Sequence, residues 1–283
     1  MQIQEHRQGT SAQEILFGHF NSVIFDVGMN NGDDSAHYLS LGCRVIAVEA
    51  NPVLVDRAYS RFRREVATGQ LTIEACGIYE GIDLVPFWVN DERSVFSSFD
   101  YNAAWRGQYR VHPVEVRCVS FDALLEKYGV PLYLKLDIEG QEGHCLRVLK
   151  RYRLPEYISV EAETLEHLVL LWELGYRQFK LVDQMRHNST LPTLTNEKQS
   201  LHLTKKLFSY MERFQNRMLP VQFPRGSSGP FGERTRGIWQ TFEEVAYAWL
   251  HLHFGHTDRG VLNHGSWYDF HAKLNTDHGI TAN

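Results

Sequence analysis

Short apolar runs, each closed by a polar residue or a glycine, recur along the first two thirds of the chain. The runs at 23–25, 45–48 and 71–75 have the β-branched and aromatic bias of buried strands, and the segments between them carry apolar residues at helical spacing. Strands that alternate with helices are typical of an α/β domain built on a mostly parallel sheet.

The same two periodicities predict the remaining elements and the domain organisation. Further strands are predicted at 84–89, 114–119, 132–136, 157–160 and 177–184. Helices are predicted at 12–20, 36–41, 53–68, 121–127, 142–150, 186–218 and 239–253. We therefore expect one domain over residues 1–185 and a mainly helical C-terminal extension over 186–283 that packs on it.

The stretch from residue 22 to residue 52 has the order of the first half of a nucleotide-binding crossover. Its first strand ends on Asp26, and the next turn contains Gly28, Asn30 and Gly32, which tolerate the positive φ of a tight bend against a ligand. The second strand ends on Glu49, at about the 20-residue spacing at which an acid binds the ribose hydroxyls of a nucleotide.

This turn departs from the G-x-G-x-x-G pattern of dinucleotide-binding proteins. Asp33 and Asp34 follow it directly and would repel a pyrophosphate at the N-terminus of the next helix. S-adenosylmethionine has no phosphate and carries a cationic sulfonium and an ammonium group, so an acid-rich turn suits it better. Two alternatives stay open: an NAD-dependent oxidoreductase on the same sheet, and a turn that binds no ligand.

Carboxylates end three of the predicted strands. Glu49, Asp137 and Glu161 would meet at one edge of a parallel sheet, where a carboxylate costs desolvation energy unless it has a ligand or a partner. Cys76 and Gly77 follow another strand at the same edge, where an adenine would lie. The alternative interpretation is that such acids only cap the helices that follow them.

Composition narrows the class of protein. The net charge of −5 gives no basic surface for nucleic acid, and the four cysteines have neither the spacing of a zinc site nor that of a disulfide framework. The first residues lack the apolar core of a signal peptide, and no run is long enough to span a membrane. We therefore expect a cytoplasmic protein without a nucleic-acid or membrane partner, and a homo-oligomer is left open.

The motifs DVGMNNGDDS, VEANP and LKLDIEGQE, in that order, resemble the FkbM family of S-adenosylmethionine-dependent methyltransferases. The resemblance covers about residues 22–185. It implies a class I, Rossmann-like methyltransferase fold, which is a doubly wound α/β sheet, mostly parallel, with one antiparallel strand near its end. It also implies methyl transfer to a hydroxyl group of a small-molecule or glycan acceptor, such as a sugar or a polyketide.

The resemblance further implies roles for individual residues. Glu49 corresponds to the ribose-binding acid, and Met29 stands where the family usually has a small residue. The residues that match the methionine-binding turn are Asp26, Gly28, Asn30, Gly32 and Ser35. The residues that match the D-x-E-G element beside the reacting centre are Asp137, Glu139 and Gly140. To the cofactor site we add three residues that follow the second and third strands: Asn51, Cys76 and Gly77.

The sequence leaves the catalytic group open. Asp137 could remove the proton of the acceptor hydroxyl, or it could share a divalent cation such as Mg²⁺ with Glu161. Lys180 could instead act as the base or stabilise an alkoxide. A protein that binds S-adenosylmethionine without turning it over is a further hypothesis.

Two segments of the extension carry hypotheses about the substrate pocket. Residues 223–233 combine Gly, Ser and Pro with aromatic anchors, which predicts either a loop that covers the substrate or a rigid surface turn. Residues 265–272 are dense in aromatic side chains, and we expect them to fold back on the core and form a pocket wall.

Overall fold

The computed structural model of the chain describes residues 22–81, 84–185, 187–189, 223–224, 227–254, 256–257, 260–261 and 267–275. The helices predicted at 12–20 and 186–218 lie outside these residues, apart from 187–189. The strands are β1 (Val23–Val27), β2 (Arg44–Glu49), β3 (Leu71–Ala75), β4 (Gly77–Ile78), β5 (Leu84–Asn90), β6 (Val111–Val119), β7 (Tyr133–Leu136), β8 (Tyr157–Glu161), β9 (Gln178–Asp183), β10 (Asn188–Ser189), β11 (His256–Thr257), β12 (Gly260–Val261) and β13 (Tyr268–Lys273). The helices are α1 (Asp33–Ser40), α2 (Pro52–Arg61), α3 (Arg63–Ala67), α4 (Tyr101–Trp105), α5 (Phe121–Tyr128), α6 (Glu142–Leu149), α7 (Leu165–Leu174) and α8 (Phe242–Phe254).

Eight of these strands form one sheet in the order β10-β9-β13-β8-β7-β1-β2-β3. The strands from β3 to β8 in that order pair in parallel, whereas β13 runs antiparallel to both of its neighbours. The two-residue β10 adds a third, short antiparallel pairing, with β9, at the edge. This confirms the class I, Rossmann-like methyltransferase sheet, including its antiparallel strand.

The strand β13 lies inside the main sheet. It lies between β8 and β9, although its residues were assigned to the C-terminal extension. The sheet is therefore not complete at residue 185. Tyr268, Phe270 and Ala272 alternate with polar residues, which is the two-residue period of a strand with two unlike faces.

Most of the other predicted elements are present with shifted ends. The strand predicted at 71–75 has the same bounds as β3. The helix predicted at 53–68 is two helices, because the backbone at Phe62 (φ −109°, ψ 31°) leaves the helical conformation. Helix α7 was not predicted, although Thr164 caps its first turn and Gly175 ends it in the left-handed conformation.

The pleat of the sheet divides the apolar side chains between two cores. Phe25 and Leu134 pack on the side of α5 to α8, whereas Ile24 and Tyr133 pack on the side of α1 and α2. Alternation along β7 places Lys135 on the same side as Tyr133, that is, facing α1. A buried lysine therefore lies beside the turn that follows β1.

A smaller three-stranded sheet is formed by β4, β5 and β6. We call residues 84–119 the cap: β5 and β6 pair antiparallel, and the residues between them form a 3₁₀ turn at Ser94–Phe96 and the helix α4. The stretch 101–113 was predicted to be an insertion loop. It instead contains α4 and the beginning of β6, because Asp100 caps the helix by accepting a hydrogen bond from Ala103 N. In the described part of the chain, no helix is long and apolar enough to cross a membrane.

Candidate functional site

A cavity of about 240 Å³ opens where the parallel strands end. One wall is the turn after β1, a second is the cap, and a third is formed by Gln184, Ser227 and Trp267. Ligands of doubly wound sheets bind in this crevice at the carboxyl ends of the strands. The cavity is therefore the candidate functional site.

The turn after β1 lies against the end of β7, and Gly28 is where the two backbones come closest. Its backbone N donates to Val48 O at 3.0 Å, and its φ is +89°. A Cβ atom at this position would lie 1.7 Å from Asp137 O. Glycine is the only residue that fits at this position. The cavity floor at the end of β1 is therefore formed by backbone atoms.

The ammonium group of Lys135 joins this turn to three carboxylates. Lys135 Nζ donates to Gly28 O at 2.9 Å and to Asp26 Oδ1 at 3.0 Å. It lies 3.7 Å from Asp34 Oδ2 and 3.6 Å from Asp137 Oδ2. Burial disfavours its charge, but the three carboxylates raise the pKa of Lys135 well above its usual value. Among the described residues that line the cavity, it is the only basic one.

Two residues predicted to bind the cofactor lie behind the turn. Asp26 and Ser35 are fully buried, and Ser35 Oγ donates to Asp26 Oδ2 at 2.6 Å. This contact ties α1 to β1. Neither side chain lines the cavity. Gly32 does not line it either; it is the N-cap residue of α1 and has a φ of +81°.

Glu49 lines the cavity at the end of β2. Its Oε2 accepts from Asn30 N and its Oε1 from Asn51 N, both at 2.7 Å. Burial raises the pKa of Glu49 to about 7, although these hydrogen bonds act in the opposite direction. Each oxygen keeps a lone pair for a ribose hydroxyl. Asn51 does not line the cavity, and its side chain caps α2 by accepting from Val53 N at 3.0 Å.

The adenine end was predicted at Cys76 and Gly77, and both residues line the cavity. The ring of Phe99, from the cap, lies so close that a Cβ atom on Gly77 would be 2.3 Å from Phe99 Cζ. Phe87, also from the cap, lines the cavity and packs against Phe99, with ring centroids 5.0 Å apart. This end of the cavity is therefore flat and apolar.

The two acids after the turn have different partners. Asp33 pairs with Arg61 at 2.8 Å near the surface. Asp34 is buried, and its two oxygens accept from Ser228 N and Gly229 N at 3.1 Å each. Burial raises the pKa of Asp34 to about 6, against the opposing effect of Lys135.

The D-x-E-G element at the end of β7 forms a tight turn held from behind. Glu142 accepts from Ile138 N and from Gly140 N, both at 2.8 Å. Glu139 lines the cavity with a φ of +52°, and its carboxylate pairs with Arg106 of the cap at 3.0 Å. Burial and the charge of Asp137 raise the pKa of Glu139 to about 8.

Glu161 brings a further carboxylate to the cavity beside Asp137 and Glu139. Burial and the charges of these two acids raise its pKa well above the usual value. It does not cap α7, because that role belongs to Thr164, whose side chain accepts from Glu166 N. The alternative interpretation of Glu161 as a cap is therefore wrong.

The wall predicted at 265–272 is described from residue 267 onward. Trp267 lines the cavity, and Asp269 is buried behind it in β13. Asp269 Oδ1 accepts from Gln184 Nε2 at 2.7 Å, and burial raises the pKa of Asp269 to about 7. The sequence analysis did not recognise Lys135, although a lysine inside the apolar run LYLKL is a signal of a buried counter-ion.

The structure does not bring Lys180 to the other candidate residues. Its ammonium donates to Thr235 O at 2.7 Å and lies 4.2 Å from the ring centre of Trp239. Burial lowers the pKa of Lys180 to about 8. It is absent from the described residues that line the cavity. In the same described part of the chain, no three His, Cys, Asp or Glu side chains converge as ligands of a metal ion.

A family model described as the methyltransferase FkbM domain matches residues 26–178, which is more than half of the 283 residues. The chain belongs to the FkbM methyltransferase family. The match includes Gly28, Glu49 and Asp137, and it ends before Gln184 and β13. In this FkbM methyltransferase, one wall of the cavity therefore lies outside the family match.

Solved structures of other methyltransferases are similar to this FkbM protein over most of its length. Precorrin-6y C5,15-methyltransferase from Geobacter metallireducens GS-15 is 11% identical, with 96% of this chain and 93% of that chain covered and a TM-score of 0.40. Phosphoethanolamine N-methyltransferase 2 from Haemonchus contortus, solved in complex with S-adenosyl-L-methionine, is 11% identical, with 90% and 49% covered and a TM-score of 0.36. No curated protein matches the sequence significantly. The family assignment thus rests on the sequence match.

Proposed function

We propose that this protein transfers the methyl group of S-adenosylmethionine to a hydroxyl group of a metabolite such as a sugar or a polyketide. The observation that carries the proposal is the excess of acidic over basic side chains in the cavity. Six carboxylates line it, against the single buried ammonium of Lys135. Those six are Asp33, Asp34, Glu49, Asp137, Glu139 and Glu161.

These residues fit a ligand that carries a sulfonium and an ammonium group, because an excess of buried carboxylates favours bound cations. Glu49 would hold the ribose, and the apolar end at Cys76 and Gly77 would hold the adenine. The methionine part would lie at the other end, between Gly28 and Asp137. S-adenosylmethionine supplies a methyl group on a cationic sulfur, which an aligned acceptor oxygen displaces.

Among the candidate bases, the surroundings favour Glu161. Asp137 is already compensated by Lys135, 3.6 Å away. Glu161 has no ion pair with any described residue, and its raised pKa matches a group that must take a proton from an alcohol. A bound cation would lower this pKa and leave the carboxylate ionised when the acceptor arrives. We assign the proton transfer to Glu161 and charge compensation at the sulfur to Asp137.

Cofactor binding is tested first, by calorimetry with S-adenosylmethionine, S-adenosylhomocysteine and NAD. We expect the two sulfur ligands to bind and NAD not to bind. Glu49→Gln should weaken S-adenosylhomocysteine by about 1–3 kcal/mol, because charge-assisted hydrogen bonds to the ribose are lost. Glu173→Gln, in a half-exposed pair with Lys150, is the matched control and should leave affinity unchanged. Equal affinity in Glu49→Gln and the parent would remove Glu49 from this role.

Turnover is tested second, by measuring S-adenosylhomocysteine released with a panel of hydroxylated sugars and polyketides. Product that depends on one acceptor, with a methyl ether in its mass spectrum, would support the proposal. Methylation of nitrogen alone would contradict the hydroxyl assignment. Tight binding without release for any acceptor would favour the hypothesis of a protein that binds S-adenosylmethionine without turnover.

A further inference from the structure

A short C-terminal segment is bound at the start of α1, far away in sequence. We call residues 227–231 the strap. All five of its residues are buried. The backbone N–H groups of Ser228 and Gly229 donate to the carboxylate of Asp34. The strap is therefore attached to the helix that follows the methionine-binding turn.

The strap reaches the cavity through Ser227, which lines it. Its other end is fixed by Phe231, whose ring stacks on Tyr133 of β7 with centroids 4.3 Å apart. Tyr38 Oη, from α1, also donates to Gly229 O at 3.4 Å. These contacts hold the strap on the same side of the sheet as Lys135.

Asp34 connects the strap to the cofactor turn. Its Oδ2 lies 3.7 Å from Lys135 Nζ, and that ammonium donates to Gly28 O. A continuous set of polar contacts thus runs from Ser228 N through Asp34 and Lys135 to the backbone of the turn. A displacement of the strap would leave a buried carboxylate without two of its donors.

Gly229 makes this docking sterically specific. Its φ is +73°, and a Cβ atom there would lie 2.4 Å from His187 Cδ2. His187 Nε2 in turn lies 3.0 Å from Ser227 O. A side chain at position 229 would therefore force the strap and His187 apart without altering any charge.

From these contacts we propose that Asp34 is a positioning residue for cofactor binding. By accepting the strap's N–H groups it holds the strap against the methionine end of the cavity, so that docking of the strap and binding of the cofactor stabilise each other. The inference rests on the proposed function. Because such coupling is reciprocal, a ligand that gains from the docked strap must also hold the strap in place.

The test uses the full chain and two variants that disturb the docking of the strap through different contacts. Asp34→Asn removes one of the two acceptor oxygens, and Gly229→Ala introduces the clash with His187. Calorimetry is done with S-adenosylhomocysteine and with 5′-methylthioadenosine, which lacks the amino-acid part. The comparison distinguishes an effect on binding at the methionine end of the cavity from an effect at the adenine end. Both variants should weaken S-adenosylhomocysteine by roughly tenfold and 5′-methylthioadenosine by less than about threefold.

Two substitutions control for effects on folding. Gly69→Ala has nearly the same backbone strain, with a φ of +74° but no atom within 4 Å of the added Cβ. Asp122→Asn removes a carboxylate from a surface pair with Arg151. Both should bind the two ligands as the parent protein does.

Hydrogen exchange over residues 227–231 gives the second readout. In the parent protein, S-adenosylhomocysteine should slow exchange of these amides, and in Asp34→Asn they should exchange faster even without ligand. Weak binding in Asp34→Asn alone, with Gly229→Ala unchanged, would overturn the inference and make Asp34 a direct ligand contact. Exchange that S-adenosylhomocysteine does not alter would also overturn it. A parent protein that binds neither ligand would overturn the proposed function as well.

Discussion

The carbonyl oxygen of Asp137 lies 1.7 Å from the point where a Cβ atom of Gly28 would stand. The ends of β1 and β7 therefore meet backbone to backbone at the cavity floor. This contact fixes the distance between the turn after β1 and Asp137.

Gly28→Ala should accordingly abolish cofactor binding and lower the free energy of unfolding by roughly 3 kcal/mol or more, because strain at positive φ adds to the overlap with β7. Gly107→Ala is the control, since Gly107 has a φ of +76° and no atom within 4 Å of an added Cβ. Urea unfolding and calorimetry measure the two effects. A Gly28→Ala protein that binds S-adenosylhomocysteine like the parent would contradict the geometry.

Lys135→Met should destabilise the protein by roughly 3–5 kcal/mol, because Asp26 and Asp34 are left buried without their counter-ion. Lys150→Met, which breaks a half-exposed pair with Glu173, should cost less than about 1 kcal/mol. Urea denaturation of the two variants gives the comparison. If both substitutions cost the same, Lys135 does not compensate the buried carboxylates.

Glu161→Gln should lower turnover by at least about 100-fold while leaving the affinity for S-adenosylhomocysteine nearly unchanged, since a general base acts only on the acceptor. Asp137→Asn should reduce both quantities, because it removes charge compensation at the sulfur. Glu163→Gln, an exposed acid two residues along, is the control. A Glu161→Gln enzyme with normal turnover would return the assignment of the base to Asp137.

The pH dependence of stability follows from the buried acids. The pKa values of Glu49 and Asp269 are raised by burial to about 7, and that of Glu139 to about 8. Between pH 6.5 and pH 8 the folded protein therefore binds more protons than the unfolded chain, so the free energy of unfolding falls as pH rises. Below about pH 6.5, His37 and His271, whose pKa values burial lowers to about 4 and about 3, oppose this trend. They are fewer than the acids, so they do not reverse it while the acids of the unfolded chain remain ionised.

We therefore expect the melting temperature to be higher at about pH 6.5 than at about pH 8, with saturating S-adenosylmethionine reducing the difference. Scanning calorimetry across this interval is the measurement. Glu139→Gln should flatten the decline, because one of the responsible groups is removed. A melting temperature that climbs steadily towards pH 8 would show that these acids are ionised in the folded protein.

The first half of the sheet could be predicted because its strands are continuous apolar runs joined by short turns, and the turn at Gly28 has a strong local signal. The strand β13 was not predicted, because residues 265–272 are dense in aromatic side chains and were interpreted as a pocket wall that folds back on the core. Its position between two earlier strands depends on tertiary packing alone.

The site was predictable where the residue and its role lie in one motif, as at Glu49. Asp34 was interpreted only as a charge that repels phosphate, because its partners, Ser228 N and Gly229 N, are nearly 200 residues away. Lys180 was placed near the acids because it lies in a strand of the same sheet. Its side chain instead points to Thr235 and Trp239, and the face of a strand is not fixed by its length or composition.

The position of β13 after β8 and β9 in the sequence also affects the order in which the sheet can assemble. Until residues 268–273 leave the ribosome, β8 and β9 present two unpaired edges of an otherwise assembled sheet. A polypeptide that stops short of them exposes hydrogen-bonding backbone that invites other nascent chains. The joining of β8 to β9 therefore waits for a segment that follows both strands in the chain.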